Sequence, residues 1–213
     1  KMKSILVMAK RNIQRENDMI EGLLQVAKLS GPEMALQKKR LSLTTFVKEC
    51  ESENILLVEQ SQRDWRLEID GDMPAYWIYG DAVLLKRVIG NLVLNAIEHS
   101  PPGSPITLGA RLSKRDRSKA EIFVRDQGAG VPAQRREAIF NKYTTFAESA
   151  KNVGLGLAFC KLAAEAHSAR LELSDQSEPG TTFTLVIPLS AELAAGDGAG
   201  KSDPAEVSPA SQG

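Results

Sequence analysis

The stretch "NLVLNAIEHSPPGS", residues 91–104, decides how the rest of the chain is read. Leu92, Val93, Ala96 and Ile97 recur at helical spacing, which predicts a helix packed into a core. Asn91, Asn95 and His99 stand at i, i+4 and i+8, a polar stripe on that same helix. Asparagine is a poor helix former, because its amide competes for backbone hydrogen bonds. Two of them one turn apart in an apolar segment call for a reason beyond folding.

Outward from this helix, two kinds of segment mix. Alternation and turn residues predict strands over residues 40–43, 65–70, 105–113, 120–126, 170–174 and 181–188. Amphipathic spacing predicts helices over 44–61, 81–100, 132–140 and 155–167. The fold class expected is an α/β two-layer sandwich, a mixed sheet packed on helices, preceded by one long N-terminal helix. In that first helix Met2, Ile5, Ala9, Ile13, Ile20, Leu23 and Ala27 form a stripe, interrupted at Asn12 and Glu16 and ended by Gly31-Pro32. No second helix of that length is available to cover the stripe, so a partner outside the chain is expected. From about Ala194 the sequence turns small, polar and Pro/Gly-rich, a linker or disordered tail. The expected division is 1–32, 38–190 and 191–213.

Composition narrows the function classes. With 42% hydrophobic residues in 213, the chain supports a folded core. Twenty-seven basic residues balance 27 acidic ones, which argues against a nucleic-acid binder or a polybasic membrane anchor. Cys50 and Cys160 sit in apolar helical contexts, so a reducing compartment is expected rather than a disulfide framework. No apolar run is long enough to span a bilayer and no signal-peptide pattern is present, so this segment is expected to make no direct membrane contact. A cytoplasmic location follows, and an upstream membrane segment stays open.

Two glycine segments carry chemistry. "DQGAGVP" (residues 126–132) leaves a strand and turns sharply at Gly128 and Gly130; alone it reads as an ordinary strand-to-helix turn. "GLGLAFCKL" (residues 154–162) opens a helix, where free backbone N–H groups and the helix dipole favour a phosphate.

Asn-x-x-x-Asn, then Asp-x-Gly-x-Gly, then Gly-Leu-Gly-Leu, in this order, resembles the ATP-binding superfamily of sensor histidine kinases, gyrase-type topoisomerases, Hsp90-type chaperones and mismatch-repair ATPases. Within it, residues 41–188 resemble the catalytic domain of a sensor histidine kinase. "GDAVLLKRVIGNLVLNAIEHSPPG" is similar to its asparagine box, "IFNKYTT" to its phenylalanine box, "GLGLAFCKLAAEAH" to its second glycine box and "EPGTTFTLVIP" to its closing strand. The resemblance implies that Asn95 holds Mg²⁺ through its amide oxygen and that Asn91 supports metal and phosphates, an oxygen ligand suited to a hard cation. Asp126 matches the carboxylate that accepts from the adenine amino group. Gly128, Gly130, Gly154, Leu155, Gly156, Leu157 and Thr181 complete the implied ATP site. His99 stands where the family often has an aromatic against adenine, or is a solvated helix-end histidine; His167 matches a structural position. Relatives that hydrolyse ATP carry glutamate as general base where this chain has Asn91, whose amide takes no proton, which favours transfer to a histidine.

The sequence departs from the family pattern at three places. Glu98 replaces a usual lysine, Asn152 a glycine and Thr145 an arginine, with Lys142 a substitute source of phosphate charge. Residues 1–30 resemble the second helix of the dimerisation hairpin, whose first helix carries the phosphoacceptor. Only His99 and His167 occur here, so a catalytic fragment without its acceptor is expected, with a homodimer through the hairpin and a response regulator receiver domain as partners. The rival reading is a degenerate nucleotide-binding or interaction module. "AGDGAGKS" (residues 195–202) satisfies a relaxed P-loop pattern but lacks the flanking strand and apolar helix such a loop needs.

Overall fold

The protein is described by a computed structural model covering residues 36–71, 76–141, 155–174 and 180–190. The expected N-terminal helix, the tail, Lys142, Thr145, Asn152 and Gly154 lie outside the described residues.

In chain order the elements are β1 (Lys39–Ser42), α1 (Leu43–Gln60), β2 (Asp64–Ile69), β3 (Trp77–Gly80), α2 (Ala82–His99), β4 (Pro105–Leu112) and β5 (Lys119–Asp126). Two 3₁₀ turns follow, Ala133–Arg135 and Ala138–Phe140, then α3 (Gly156–Ala166), β6 (Arg170–Leu173) and β7 (Thr181–Pro188). A five-stranded mixed sheet runs in the order β2-β4-β5-β7-β6, with β2 and β4 parallel and the other pairs antiparallel. Helices α1, α2 and α3 pack on it, giving the expected two-layer sandwich.

The helices form for local reasons. Ser42 caps α1 by accepting from the Thr45 amide at 3.4 Å. Asp81 caps α2, its Oδ1 accepting from the Val83 and Leu84 amides at 3.1 and 3.3 Å. Leu85, Val88, Ile89, Leu92, Val93 and Ala96 then bury one face of α2 at three- and four-residue spacing. They meet Ile106, Leu108 and Ala110 of β4 and Ala120, Ile122 and Val124 of β5, all on the helix-facing side of the sheet.

Two expectations need correction. The helix expected over 132–140 is a pair of 3₁₀ turns, closed by bonds from the Arg135 amide to the Pro132 carbonyl and from the Asn141 amide to the Ala138 carbonyl. Its apolar residues bunch at the end: only Ile139 is buried, and Phe140 stacks edge-on against Phe183. Without an apolar stripe to bury, the segment has no gain from a continuous helix. Strand β3 was not expected; it pairs antiparallel with β1 in a separate two-stranded sheet.

Candidate functional site

The amide stripe of α2 is bracketed by the two glycine segments. Asn91 and Asn95 are half-buried and His99 is exposed at the last turn. Gly156, the first residue of α3, lies on Asn91: a Cβ added there would sit 3.8 Å from Asn91 Cγ and 4.0 Å from its Oδ1. At the other end Gly128 lies on the His99 backbone, where a Cβ would overlap the His99 carbonyl oxygen. Only glycine lets the loop leaving β5 approach α2 so closely. Asn95 stands between, one helical turn from Asn91 and one from His99.

Asp126 enters the site through strand periodicity. Ala120, Ile122 and Val124 face the helices, and two residues further on Asp126 faces the same way, 2% exposed. Its Oδ1 accepts from the Gly128 amide at 2.7 Å and from the Thr181 amide at 3.2 Å. The Thr181 hydroxyl donates to the same carboxylate. Burial pushes the Asp126 pKa up; these hydrogen bonds and the nearby His99 pull against it, and burial wins. A hydrogen-bond acceptor is therefore fixed in orientation in a largely dry pocket.

Register explains why Thr181 is there. Asp126 and Thr181 are cross-strand partners at the last position of the β5–β7 ladder. Gly180, just before, has φ +129°, and a Cβ there would overlap the Asp126 carbonyl oxygen. Gly130, at φ +76°, lies beside Gly180. Gly180 therefore belongs to the site's framework. The sequence reading placed it in a closing turn, and no local signal distinguishes it from an ordinary turn glycine.

The start of α3 offers donors. Leu155 at its N-cap gives no side-chain cap, and no acidic residue lies in the first turn. The first-turn N–H groups thus lack a partner from a capping side chain and point where an anion would be stabilised. Leu155 is buried and Leu157 half-buried, so both anchor the turn in the core. The structure brings together Asn91 with Gly156, and His99 with Gly128, Gly130, Asp126 and Thr181, joined through Asn95 on α2.

His167 is buried with both ring nitrogens engaged. Its Nε2 accepts from the Asp81 amide at 2.9 Å, and its Nδ1 lies 2.7 Å from the Ala163 carbonyl, which it serves as donor. It packs rather than faces the site. Cys50 and Cys160 are free, buried thiols.

These residues fit a Mg-nucleotide: a buried acceptor, amide oxygens and uncapped helix N–H groups line one surface. The family model described as "Histidine kinase-, DNA gyrase B-, and HSP90-like ATPase" matches residues 80–191. Over 128 residues the chain is 36% identical to the signal transduction histidine-protein kinase/phosphatase MprB of a Mycobacterium species, covering 57% of this chain and 24% of that one. Over 176 residues it is 33% identical to the sensor-like histidine kinase SenX3 of Mycolicibacterium smegmatis, covering 80% of this chain and 44% of that one. The chain thus spans less than half the length of these relatives. Full-length ShkA in complex with AMPPNP superposes with a TM-score of 0.75 at 18% identity, over 91% of this chain and 40% of that one, a likeness of fold. The mycobacterial sensor histidine kinase MprB superposes with a TM-score of 0.58 at 25% identity, over 71% of this chain and 97% of that one.

Proposed function

The chain belongs to the histidine kinase-, DNA gyrase B- and HSP90-like ATPase family, and from that premise we propose that residues 38–190 are the ATP-binding catalytic unit of a sensor histidine kinase. In this reading the γ-phosphate of Mg-ATP passes to a histidine on a hairpin helix outside this chain and on to a response regulator receiver domain. The intact protein dimerises through the hairpin, on the cytoplasmic side of any membrane anchor.

The observation that supports the reading best is the buried Asp126 carboxylate, held by Gly128 and Thr181 at the end of the Asn91–Asn95–His99 stripe. Asp126 accepts from the adenine amino group. The first-turn N–H groups of α3 bind the phosphates. The Asn95 amide oxygen ligates the cation and Asn91 supports it. A bound Mg²⁺ would neutralise charge on the phosphates. Phosphoryl transfer asks the protein mainly for positioning and electrostatic stabilisation, and neutral amides serve both without activating water. The acceptor histidine then competes with solvent for the phosphoryl group only by being held in line.

The test is calorimetry with Mg-ATP followed by transfer to a separately supplied hairpin bearing its histidine. Asn95→Ala is expected to keep the folded circular dichroism spectrum and to lose metal-dependent transfer, since a half-buried amide leaves no core cavity. Binding without transfer in the wild type would favour the degenerate module, a reading to which Glu98 lends weight by replacing a basic residue beside the stripe.

A further inference from the structure

We propose that Cys160 is a positioning residue for the nucleotide site: its thiol selects which end of the Asn91 amide faces that site. The inference rests on the reading of Asn91 as a support for metal and phosphates.

Helices α2 and α3 meet through two pairs of residues. Val88 and Asn91 are three apart on α2, and Gly156 and Cys160 are four apart on α3, so each pair lies on one face of its helix. Cys160 is 0% exposed, with Sγ 3.6 Å from the Val88 carbonyl oxygen, to which the thiol donates. The Asn91 side chain hydrogen-bonds the same sulfur. With the S–H committed to Val88, sulfur has only acceptor capacity left, and the Asn91 partner must be its NH₂. The carbonyl end of the amide is then directed away from sulfur. One turn towards the start of α3, the Asn91 Cγ and Oδ1 lie beside Gly156, at the uncapped N-terminus.

The choice matters because an amide's two ends are nearly equal in size and opposite in hydrogen bonding. Oxygen outward offers a cation or its water an acceptor; NH₂ outward offers a donor. Packing alone does not select between them. Burial pushes the thiol up to about 12, so it stays protonated and the S–H to Val88 persists through the physiological range.

The experiment uses the full 213-residue chain with Cys160→Val, Cys160→Ser and Cys160→Ala. Valine fills the space with no acceptor; serine keeps both a donor and an acceptor. The first readout needs no nucleotide: the side-chain NH₂ of Asn91, followed by ¹⁵N NMR, should show slow solvent exchange in the wild type. That protection should be lost in the valine and alanine variants and restored by serine. The second is affinity for Mg-ATP, expected to fall roughly three- to ten-fold in the valine variant, the range of one neutral hydrogen bond. Adenosine affinity, set at Asp126, should hold, and serine should restore the Mg-ATP value. Should serine fold poorly, valine against alanine decides, because both must release the amide whatever their thermal midpoints. Unchanged Asn91 exchange in the valine variant would overturn the proposal, as would equal losses for serine and valine in proteins of equal stability. A wild type that binds no Mg-ATP would overturn the functional reading while the exchange readout still judges the Cys160–Asn91 contact.

Discussion

Asp126 shows how one residue trades stability for recognition. Its pKa is raised by burial, so the folded state keeps a proton to higher pH than the unfolded chain. The sign follows: stability attributable to Asp126 falls as pH rises from about 3.9 through the folded pKa, and the cost is fully present above it. Asp126→Asn keeps an oxygen for the Gly128 and Thr181 amides and removes the buried charge. It is expected to raise the thermal midpoint at neutral pH, to lose that advantage in acid, and to weaken ATP. Asp126→Ala orphans both amides and should cost about 1–3 kcal/mol of stability for each one left unpaired. Thermal unfolding and calorimetry on the two variants check this; a destabilised asparagine variant would refute the charge argument. Gly128→Ala should likewise lose about 1–3 kcal/mol, because its Cβ meets the fixed His99 backbone. The sequence made Asp126, Gly128 and the asparagines legible, because their spacing encodes geometry on one helix and one turn. Gly180 and Cys160 were not, because their roles come from neighbours 54 and 69 residues away in sequence, at Asp126 and Asn91.

At the scale of elements, α2 and α3 are joined at their far ends by a node outside the site. Asp81 caps α2 through Oδ1, accepts from the Gln37 amide through Oδ2 at 3.0 Å, and donates its own amide to His167. The His167 ring must therefore be neutral, with its proton on Nδ1 facing Ala163. Burial holds its pKa below the ordinary value, with Lys38 acting in the same sense and Asp81 opposing. A histidine with a depressed folded pKa contributes stability that is complete above about 6.5 and is lost as pH falls through the folded value. The thermal midpoint should accordingly drop between pH 7.5 and 5, and His167→Gln, which keeps an acceptor but does not titrate, should flatten that slope. His99, the other histidine, is exposed, so His99→Gln should leave the slope as it was. The strongly periodic elements, α1 to α3 and β4, β5 and β7, were legible to within a residue or two because burial repeats along them. The 132–140 segment misled because proline and two alanines resemble a helix start while supplying no continuous face. Strand β3 escaped because its four residues pair only with β1, 35 or more positions away.

For the whole molecule, the order β2-β4-β5-β7-β6 was the least legible feature, since no local pattern encodes the parallel β2–β4 pairing. What it achieves is visible in the site: it sets the end of β5 beside the start of β7 and beneath the C-terminal end of α2. The face of the sheet away from the helices closes on itself. Phe123 lies over Gly109, flanked by the Arg111 and Arg125 guanidinium groups, which pair with Glu121 and Glu68. This arrangement leads to a prediction about the chain as a unit: it should bind ATP without acquiring its γ-phosphate. His167 is buried with both nitrogens engaged, so no phosphoryl group reaches it without unfolding the Asp81 node. His99 sits on the helix that carries the amides, with its own backbone pinned against Gly128, and cannot swing in line with a phosphate held at the start of α3. Incubation with γ-labelled Mg-ATP should leave this chain unlabelled while an added hairpin carrying its histidine gains acid-labile phosphate. Label on this chain alone, lost in His99→Gln, would show that the helix end moves far more than this packing allows and would make the chain its own acceptor.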